Sequence, residues 1–262
     1  MAQQFLYRYI SFEQLVSLVQ KQALTFVLPS RWEDPEEKNK LYEDSSRLPD
    51  FYEKLMVLLF CLKSYAQSWT SLAEGDAMWR IYSYGQRSLR IRTSIEKINM
   101  LNSVQMRPVV YSDTCADMGE KSLENALNIL SRKRTAFSHE QEYRLIKTIV
   151  PSSKDELINE AKILFLVACV NKDIEFSRKI YKKIWEKDLD GDLEKLKPYI
   201  KNRREPSSVD VPFSHIKNFI EGVMVNPFAP DWYVDTVKEY CNRADIYFDG
   251  KSMLYSDRNT EH

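Results

Sequence analysis

The alternation of apolar and polar positions at the start of the chain predicts a strand followed by a helix. "FLYRYI" (residues 5–10) is aromatic and β-branched, and the next ten residues, "FEQLVSLVQK", have the apolar spacing of an amphipathic helix. Ser11 stands where the N-cap of that helix would be. A second strand is predicted in "ALTFVL" (residues 23–28), and the proline-rich and charged "PSRWEDPEEKNK" after it predicts a loop.

The middle of the chain continues with short elements of both kinds. Three helices are predicted, near residues 49–55, in "GDAMWRIYSYG" (75–85) and in "EKSLENALNILSRKR" (120–134). Four strands are predicted, in "VLLFCLK" (57–63), "RSLRIRT" (87–93), "MRPVVYSD" (106–113) and "EYRLIKTIV" (142–150).

A change of composition divides the chain into three parts. Residues 1–150 carry the first part of a main domain. Residues 151–206 read as a helical insertion or subdomain of long charged helices, among them "SRKIYKKIWEK" and "DLEKLKPYIKNRRE". Residues 207–262 complete the main domain with a strand, a loop, a helix and a last short strand. This order predicts an α+β fold with a mixed or antiparallel sheet that helices interrupt.

Composition narrows the class of protein. The chain has 38 basic and 38 acidic residues, so its net charge favours no particular partner, and 44% apolar residues suffice for a core. It contains neither GxGxxG nor GxxxxGK[ST], and its four cysteines and three histidines have no metal-ligand spacing. With no signal-like start and no apolar run of about 20 residues, we expect a cytoplasmic protein without a metal site or a membrane segment.

One short stretch, "SHEQEYRLI" (residues 138–146), raises a question of chemistry. If the stretch is extended, Glu140, Glu142 and Arg144 point to one face of a strand. Two carboxylates on one face should raise each other's pKa, which would help one of them act as a base. The alternative is an ion-paired ladder on the protein surface, with Arg144 neutralising both glutamates.

Several separated segments resemble, in order, landmarks of the bacterial domain-of-unknown-function family 2971. They are "LYRY", "LTFVLPSRWEDPEE", "AMWRIYSYGQRSLRIRT", "VVYSD", "HEQEYRLI", "GVMVNPFAPDW" and "KSML". The resemblance covers most of the chain except the helical stretch before residue 206. That family is similar to the ADP-ribosyltransferase fold, a split sheet in which NAD lies in a cleft between two small sheets.

The resemblance implies a role for particular residues. Arg8 in "LYRY" would bind NAD, Tyr82 in "MWRIY" would supply the middle motif, and Glu142, with Glu140 beside it, would be catalytic. Many members of the family have a histidine next to the tyrosine of the middle motif, where this chain has Ile81. Any role of that histidine is therefore absent here.

The chemistry of these residues agrees with such roles, although each has a structural alternative. A guanidinium at Arg8 could hold a pyrophosphate while Tyr9 stacks on a base or ribose; the alternative is an exposed strand arginine. Trp79 and Tyr82, three residues apart, could share a helix face and wall the pocket, or be core residues. A fixed Glu142 carboxylate could stabilise the oxocarbenium-like carbon that forms when nicotinamide leaves ribose.

The resemblance thus implies an NAD-dependent transferase that uses NAD as substrate and modifies a macromolecular acceptor, either protein or nucleic acid. A bacterial toxin or an anti-phage defence component would fit this description. A second hypothesis is a non-catalytic module on the same fold that binds a ligand or a partner. A nuclease that uses acidic residues is a third, and it lacks a companion metal-ligand motif.

Overall fold

The structure is a computed structural model of the 262-residue chain. The structure describes residues 3–29, 32, 34, 37, 48, 51–83, 85–114, 119, 121–149, 153–169, 174–187, 189–192, 194–195 and 206–255.

Helices and strands alternate along most of the described chain. The helices are α1 (Phe12–Lys21), α2 (Phe51–Leu62), α3 (Asp76–Ile81), α4 (Ile95–Asn99), α5 (Ser122–Leu130), α6 (Lys154–Cys169), α7 (Ile174–Trp185), α8 (Ile216–Phe219) and α9 (Asp231–Ala244), with a 3₁₀ helix at Thr135–Glu140. The strands are β1 (Phe5–Ser11), β2 (Ala23–Val27), β3 (Ser64–Thr70), β4 (Ser88–Ser94), β5 (Gln105–Pro108), β6 (Val110–Tyr111), β7 (Arg132–Lys133), β8 (Glu142–Thr148), β9 (Ser208–Pro212), β10 (Gly222–Val225) and β11 (Phe248–Lys251).

A mostly antiparallel sheet organises the described residues, which confirms the predicted α+β class. Seven of its strands follow the order β11-β10-β4-β1-β3-β2-β9, while β8 pairs with β3 and β5 pairs with β8. The β10–β11 pair is parallel, and every other pair in this sheet is antiparallel. The C-terminal strands β9, β10 and β11 therefore belong to the same sheet as the N-terminal strands.

At the centre of the sheet, β3 pairs with β1 and with β2 over a single residue pair each, so the strands separate there. One residue pair, Tyr7 with Thr70, joins β1 to β3, and one pair, Val27 with Ala66, joins β2 to β3. By contrast, β3 and β8 pair along their whole length. The backbones of β1 and β3 therefore diverge beyond Tyr7, which opens a gap in the sheet.

Helices cover both faces of the sheet, and the alternation of side chains decides which residues face each layer. On one side, Leu6 and Ile10 of β1 pack in a core with Leu15 of α1 and Val237 of α9. On the other side, Ile146 of β8 packs with residues of α2 and α5. Glu142 and Arg144 share the face of Ile146, because residues two apart on a strand point the same way.

Ser11 caps α1 as predicted. The Gln14 amide donates to Ser11 Oγ at 3.2 Å, and the Ser11 amide donates to Gln14 Oε1 at 2.9 Å, which is a capping box. This cap starts α1 directly at the end of β1.

The predicted strand at residues 57–63 is wrong. Residues 57–62 form the second half of α2, and the true strand, β3, begins at Ser64. A continuous apolar run does not distinguish a buried helix from a buried strand by its period, and α2 is apolar because it packs against α5, with Leu55 contacting α6 and α7 residues. The sequence of β3, "SYAQSWT", lacks a typical strand pattern, and its polar Gln67, Ser68 and Thr70 line the gap.

The helical stretch forms its own small core. Phe165 of α6 packs against Tyr181 and Trp185 of α7, together with Leu55 of α2. The predicted helix at "DLEKLKPYIKNRRE" lies outside the described residues from residue 196 onward. Within the described part of the chain, none of the helices has the length and apolar character needed to cross a membrane.

Candidate active site

A cleft of about 690 Å³ occupies the gap between β1 and β3. Its lining comes from stretches far apart in the sequence: Tyr7–Ser11 of β1, Ala66–Thr70 of β3, Ile81 and Tyr82 after α3, Lys133 and Arg134, Glu140, Glu142 and Arg144, and also Gln14, Thr25, Val27, Trp32, Asp34, Glu37, Met78 and Phe137. The structure thus brings Arg8, Tyr9, Tyr82, Glu140 and Glu142 together in one cleft.

Glu142 is buried and fully engaged in polar contacts. Its Oε1 accepts from Ser68 Oγ at 2.5 Å and from Arg144 Nε at 2.9 Å, and its Oε2 accepts from Lys133 Nζ at 3.2 Å. Burial favours a raised pKa, but the charges of Arg144 and Lys133, with the hydrogen bonds, lower the pKa of Glu142 to about 2. The expectation that the two carboxylates raise each other's pKa is therefore wrong for Glu142.

Glu140 reaches the cleft from a different element than predicted. It ends the 3₁₀ helix, and Gln141 has the left-handed conformation (φ 42°), so Glu140 does not belong to the strand of Glu142. Its carboxylate nevertheless enters the cleft, where Oε1 accepts from the Tyr82 hydroxyl at 2.8 Å and Oε2 from Lys133 Nζ at 2.5 Å. Lys133 therefore bridges the two glutamates.

The alternative of a surface ion ladder is also wrong, because Arg144 is only 2% exposed. Its guanidinium donates to Glu142, to Glu37 Oε2 at 2.8 Å and to the Leu130 carbonyl at 2.6 Å, and it lies 4.1 Å from the centre of the Trp32 ring. Arg144 acts as an internal cation that holds two carboxylates.

Glu37 is a cleft residue that the sequence did not suggest, since it falls in the charged run read as a loop. It is 7% exposed, and its Oε1 lies 4.0 Å from Lys133 Nζ. Burial raises the pKa of Glu37, against the charges of Arg144 and Lys133. Asp34 likewise forms an ion pair, with Arg134 at 3.1 Å.

Arg8 enters the cleft from the opposite face of the sheet. Tyr7 is paired with Thr70 and Thr70 with Glu142, so Tyr7 shares the face of Glu142 and Arg8 points the other way. Among the residues that the structure describes, Arg8 has no hydrogen bond or ion pair, and burial lowers its pKa to about 10. The gap therefore has a desolvated cation on one side and the glutamates on the other.

Trp79 and Tyr82 have different surroundings. Trp79 is buried beside Tyr9, with ring centres 4.7 Å apart, and its Nε1 donates to Glu74 Oε1 at 2.8 Å. Trp79 does not line the cleft, whereas Tyr82, at the end of α3, is 37% exposed there. Tyr9 lines the cleft, but its ring packs against Met78 and Trp79 in a small core.

The cleft has no arrangement suited to a metal ion among the residues described: no group of three or more His, Cys, Asp or Glu side chains is placed to ligate one. The cations Lys133 and Arg144 pair with the glutamates of the cleft: Lys133 contacts Glu140 and Glu142, and Arg144 contacts Glu142 and Glu37.

Comparisons of this chain with protein-family models, with curated protein sequences and with solved structures found no match.

Proposed function

We propose that this protein is an NAD-dependent transferase of the ADP-ribosyltransferase type, which breaks the bond between nicotinamide and ribose and transfers ADP-ribose to a macromolecule. The observation that carries the proposal is the convergence of Arg8, Tyr82, Glu140 and Glu142 on one cleft. The parting of β1 from β3 supports the related proposal of an ADP-ribosyltransferase-like split sheet.

Glu142 has the properties of an electrostatic stabiliser. Departure of nicotinamide leaves positive charge on the ribose carbon, and a fixed anion facing that carbon lowers the barrier. Ser68, Arg144 and Lys133 hold the Glu142 carboxylate in place and keep it ionised. Because the strand and these contacts fix the charge beforehand, no rearrangement is needed at the moment of reaction.

The two sides of the gap suit two parts of NAD: Arg8 suits the phosphates, and the side of the glutamates suits the ribose and nicotinamide. Arg8 can bind phosphate oxygens without breaking an existing contact among the described residues, since a guanidinium donates in a fixed fork to such oxygens. The Tyr82 hydroxyl, anchored on Glu140, stands near the glutamates, where it can contact the ribose or nicotinamide. The volume of about 690 Å³ is within the usual range for ligand pockets.

The acceptor in this proposal is a protein or a nucleic acid, as in a bacterial toxin or a defence component. The exposed part of the cleft near Ile81 and Tyr82 supports access by such a large molecule, because these side chains are 55% and 37% exposed.

The test is incubation of purified protein with NAD labelled in the adenylate part, with and without cell lysate. We expect nicotinamide release and transfer of label, both reduced at least about a hundredfold in Glu142→Gln. The matched control is Glu96→Gln, an exposed residue of α4 that does not line the cleft, which should behave like the wild type. Absence of release and transfer by the wild type would overturn the proposal.

A second candidate is a non-catalytic module that binds a ligand in this cleft. It is favoured by one observation: both oxygens of Glu142 already have partners, as in a purely structural network. Titration calorimetry with ADP-ribose and NAD distinguishes the two functions. Binding of both compounds without any nicotinamide release would support the module.

A further inference from the structure

The transfer reaction requires a group that removes a proton from the acceptor. A hydroxyl or amine that attacks the ribose carbon must lose its proton as the new bond forms. Glu142 is poorly suited, because its pKa is about 2 and both oxygens accept hydrogen bonds. Glu140 is also engaged at both oxygens, by Tyr82 at Oε1 and by Lys133 at Oε2.

We propose that Glu37 is the general base of this reaction and accepts the proton of the acceptor at Oε1. The inference rests on the proposed function. Glu37 lines the same cleft, and Arg144 holds its Oε2 at 2.8 Å, which orients the carboxylate. Among the described residues, no donor forms a hydrogen bond with Oε1, and Lys133 Nζ lies 4.0 Å from this oxygen.

The surroundings of Glu37 and of Glu142 differ, and this difference suits the two carboxylates to different roles. Arg144 and Glu142 face Glu37 from β8, and Lys133 faces it from β7. Burial raises the pKa of Glu37, while the pKa of Glu142 is lowered to about 2. Two carboxyl groups whose environments separate their pKa values commonly serve as a base and as a permanent anion.

The step balances without a further reactant. The acceptor oxygen or nitrogen donates an electron pair to the ribose carbon and forms the new bond. The bond from that carbon to the nicotinamide nitrogen breaks, its electron pair stays on nicotinamide, and neutral nicotinamide leaves. The proton of the acceptor passes to Glu37 Oε1, and the resulting carboxylic acid later returns the proton to solvent.

The experiment uses water as the acceptor and sodium azide as a second nucleophile, with nicotinamide release from NAD as the readout. In Glu37→Gln we expect release into water to fall about a hundredfold or more, the usual range for loss of a general base. Azide should restore release, because azide carries no proton to be removed. In Glu142→Gln, azide should restore nothing, since the charge that stabilises the ribose carbon is gone.

The pH profile gives a second readout. The wild-type rate should rise with pH as Glu37 ionises, at a pH above the ordinary value for a glutamate, and Glu37→Gln should lose this rise. Thermal unfolding monitors the fold of each variant. If Glu37→Gln is unfolded, Glu37→Asp replaces it, with the charge kept and the reach shortened; a slowed rate that azide restores is again expected.

An active wild type whose rate and pH profile are unchanged in Glu37→Gln would overturn the role of Glu37 and leave the transferase proposal standing. A folded Glu37→Gln that is slow but not restored by azide would also overturn it, and would indicate a structural role for Glu37. A wild type that releases no nicotinamide would overturn both proposals together.

Discussion

Arg144 donates its Nε–H to Glu142 Oε1 at 2.9 Å, with side chains that are only 2% and 3% exposed. The same guanidinium holds Glu37 at 2.8 Å. One buried cation thus fixes two carboxylates of the cleft, and the loss of a single member should leave its partners buried without compensation.

Arg144→Met should destabilise the protein strongly. Removal of this cation leaves Lys133 as the positive charge that faces Glu37 and Glu142 among the described residues, and the expected loss is about 3–5 kcal/mol in the free energy of unfolding. Urea denaturation measures it. The matched control is Arg80→Met, which breaks an exposed pair with Asp76 on α3 and should cost less than about 1 kcal/mol. Similar losses for the two variants would contradict the buried-network interpretation.

Stability should fall in acid in a way that depends on Glu142. Its pKa is lowered on folding from 4.5 to about 2, so its stabilising contribution is present above pH 4.5 and is lost as pH falls toward about 2. Glu37 acts in the opposite sense, because its pKa is raised and its ionisation on rising pH costs stability. The stability difference between wild type and Glu142→Gln should therefore shrink by roughly 3 kcal/mol over this interval. A difference that stays constant with pH would be evidence against a lowered pKa.

Arg8→Met should weaken the binding of ADP-ribose without lowering the stability of the protein. We expect the free energy of unfolding to stay equal or to rise, because the variant removes a desolvated cation that has no ion pair among the described residues. The dissociation constant for ADP-ribose should increase about tenfold to a hundredfold, the usual effect of losing a charged hydrogen bond. Calorimetry measures this constant, with Arg80→Met as the control outside the cleft. Unchanged binding in Arg8→Met would remove Arg8 from the site.

Tyr82→Phe and Trp79→Ala should have contrasting effects. Tyr82→Phe removes the hydrogen bond to Glu140 at the cleft, so it should slow nicotinamide release and cost about 1 kcal/mol of stability or less. Trp79→Ala empties a buried position and should cost about 3–5 kcal/mol. The more conservative Trp79→Phe should fold and keep the affinity for ADP-ribose. A large loss of affinity in folded Trp79→Phe would place Trp79 in the ligand site after all.

Gly222→Ala should disturb the contacts of β10 with β4 and β11. A methyl group on Gly222 would collide with the Asp249 carboxylate and come within 2.6 Å of Arg92 Nε, and these two side chains form an ion pair at 2.9 Å. We expect a loss of about 1–3 kcal/mol in thermal or urea unfolding. At Gly191 an added methyl group meets nothing within 4 Å, so Gly191→Ala should be neutral or stabilising. A neutral Gly222→Ala would show that the ion pair moves aside easily.

Local signals in the sequence determined several elements. The alternation in "RSLRIRT" identified β4, and Ser11 before an amphipathic run identified the start of α1, because side-chain period and capping act within a few residues. The same kind of signal failed for residues 57–63, since burial of a helix on several sides removes its polar face.

For the site, the sequence by itself determined which residues are chemically able to act, and Arg8, Tyr82, Glu140 and Glu142 do line one cleft. Only the tertiary structure decided the positions and the charge states of these residues. The left-handed turn at Gln141 moved Glu140 off the strand, and Arg144 at the buried end of β8 kept Glu142 ionised. Glu37, more than 100 residues from Arg144 in the chain, joined the site through a contact that no local pattern contains. Charge state depends on burial and on neighbours distant in sequence, and these exist only once the chain has folded.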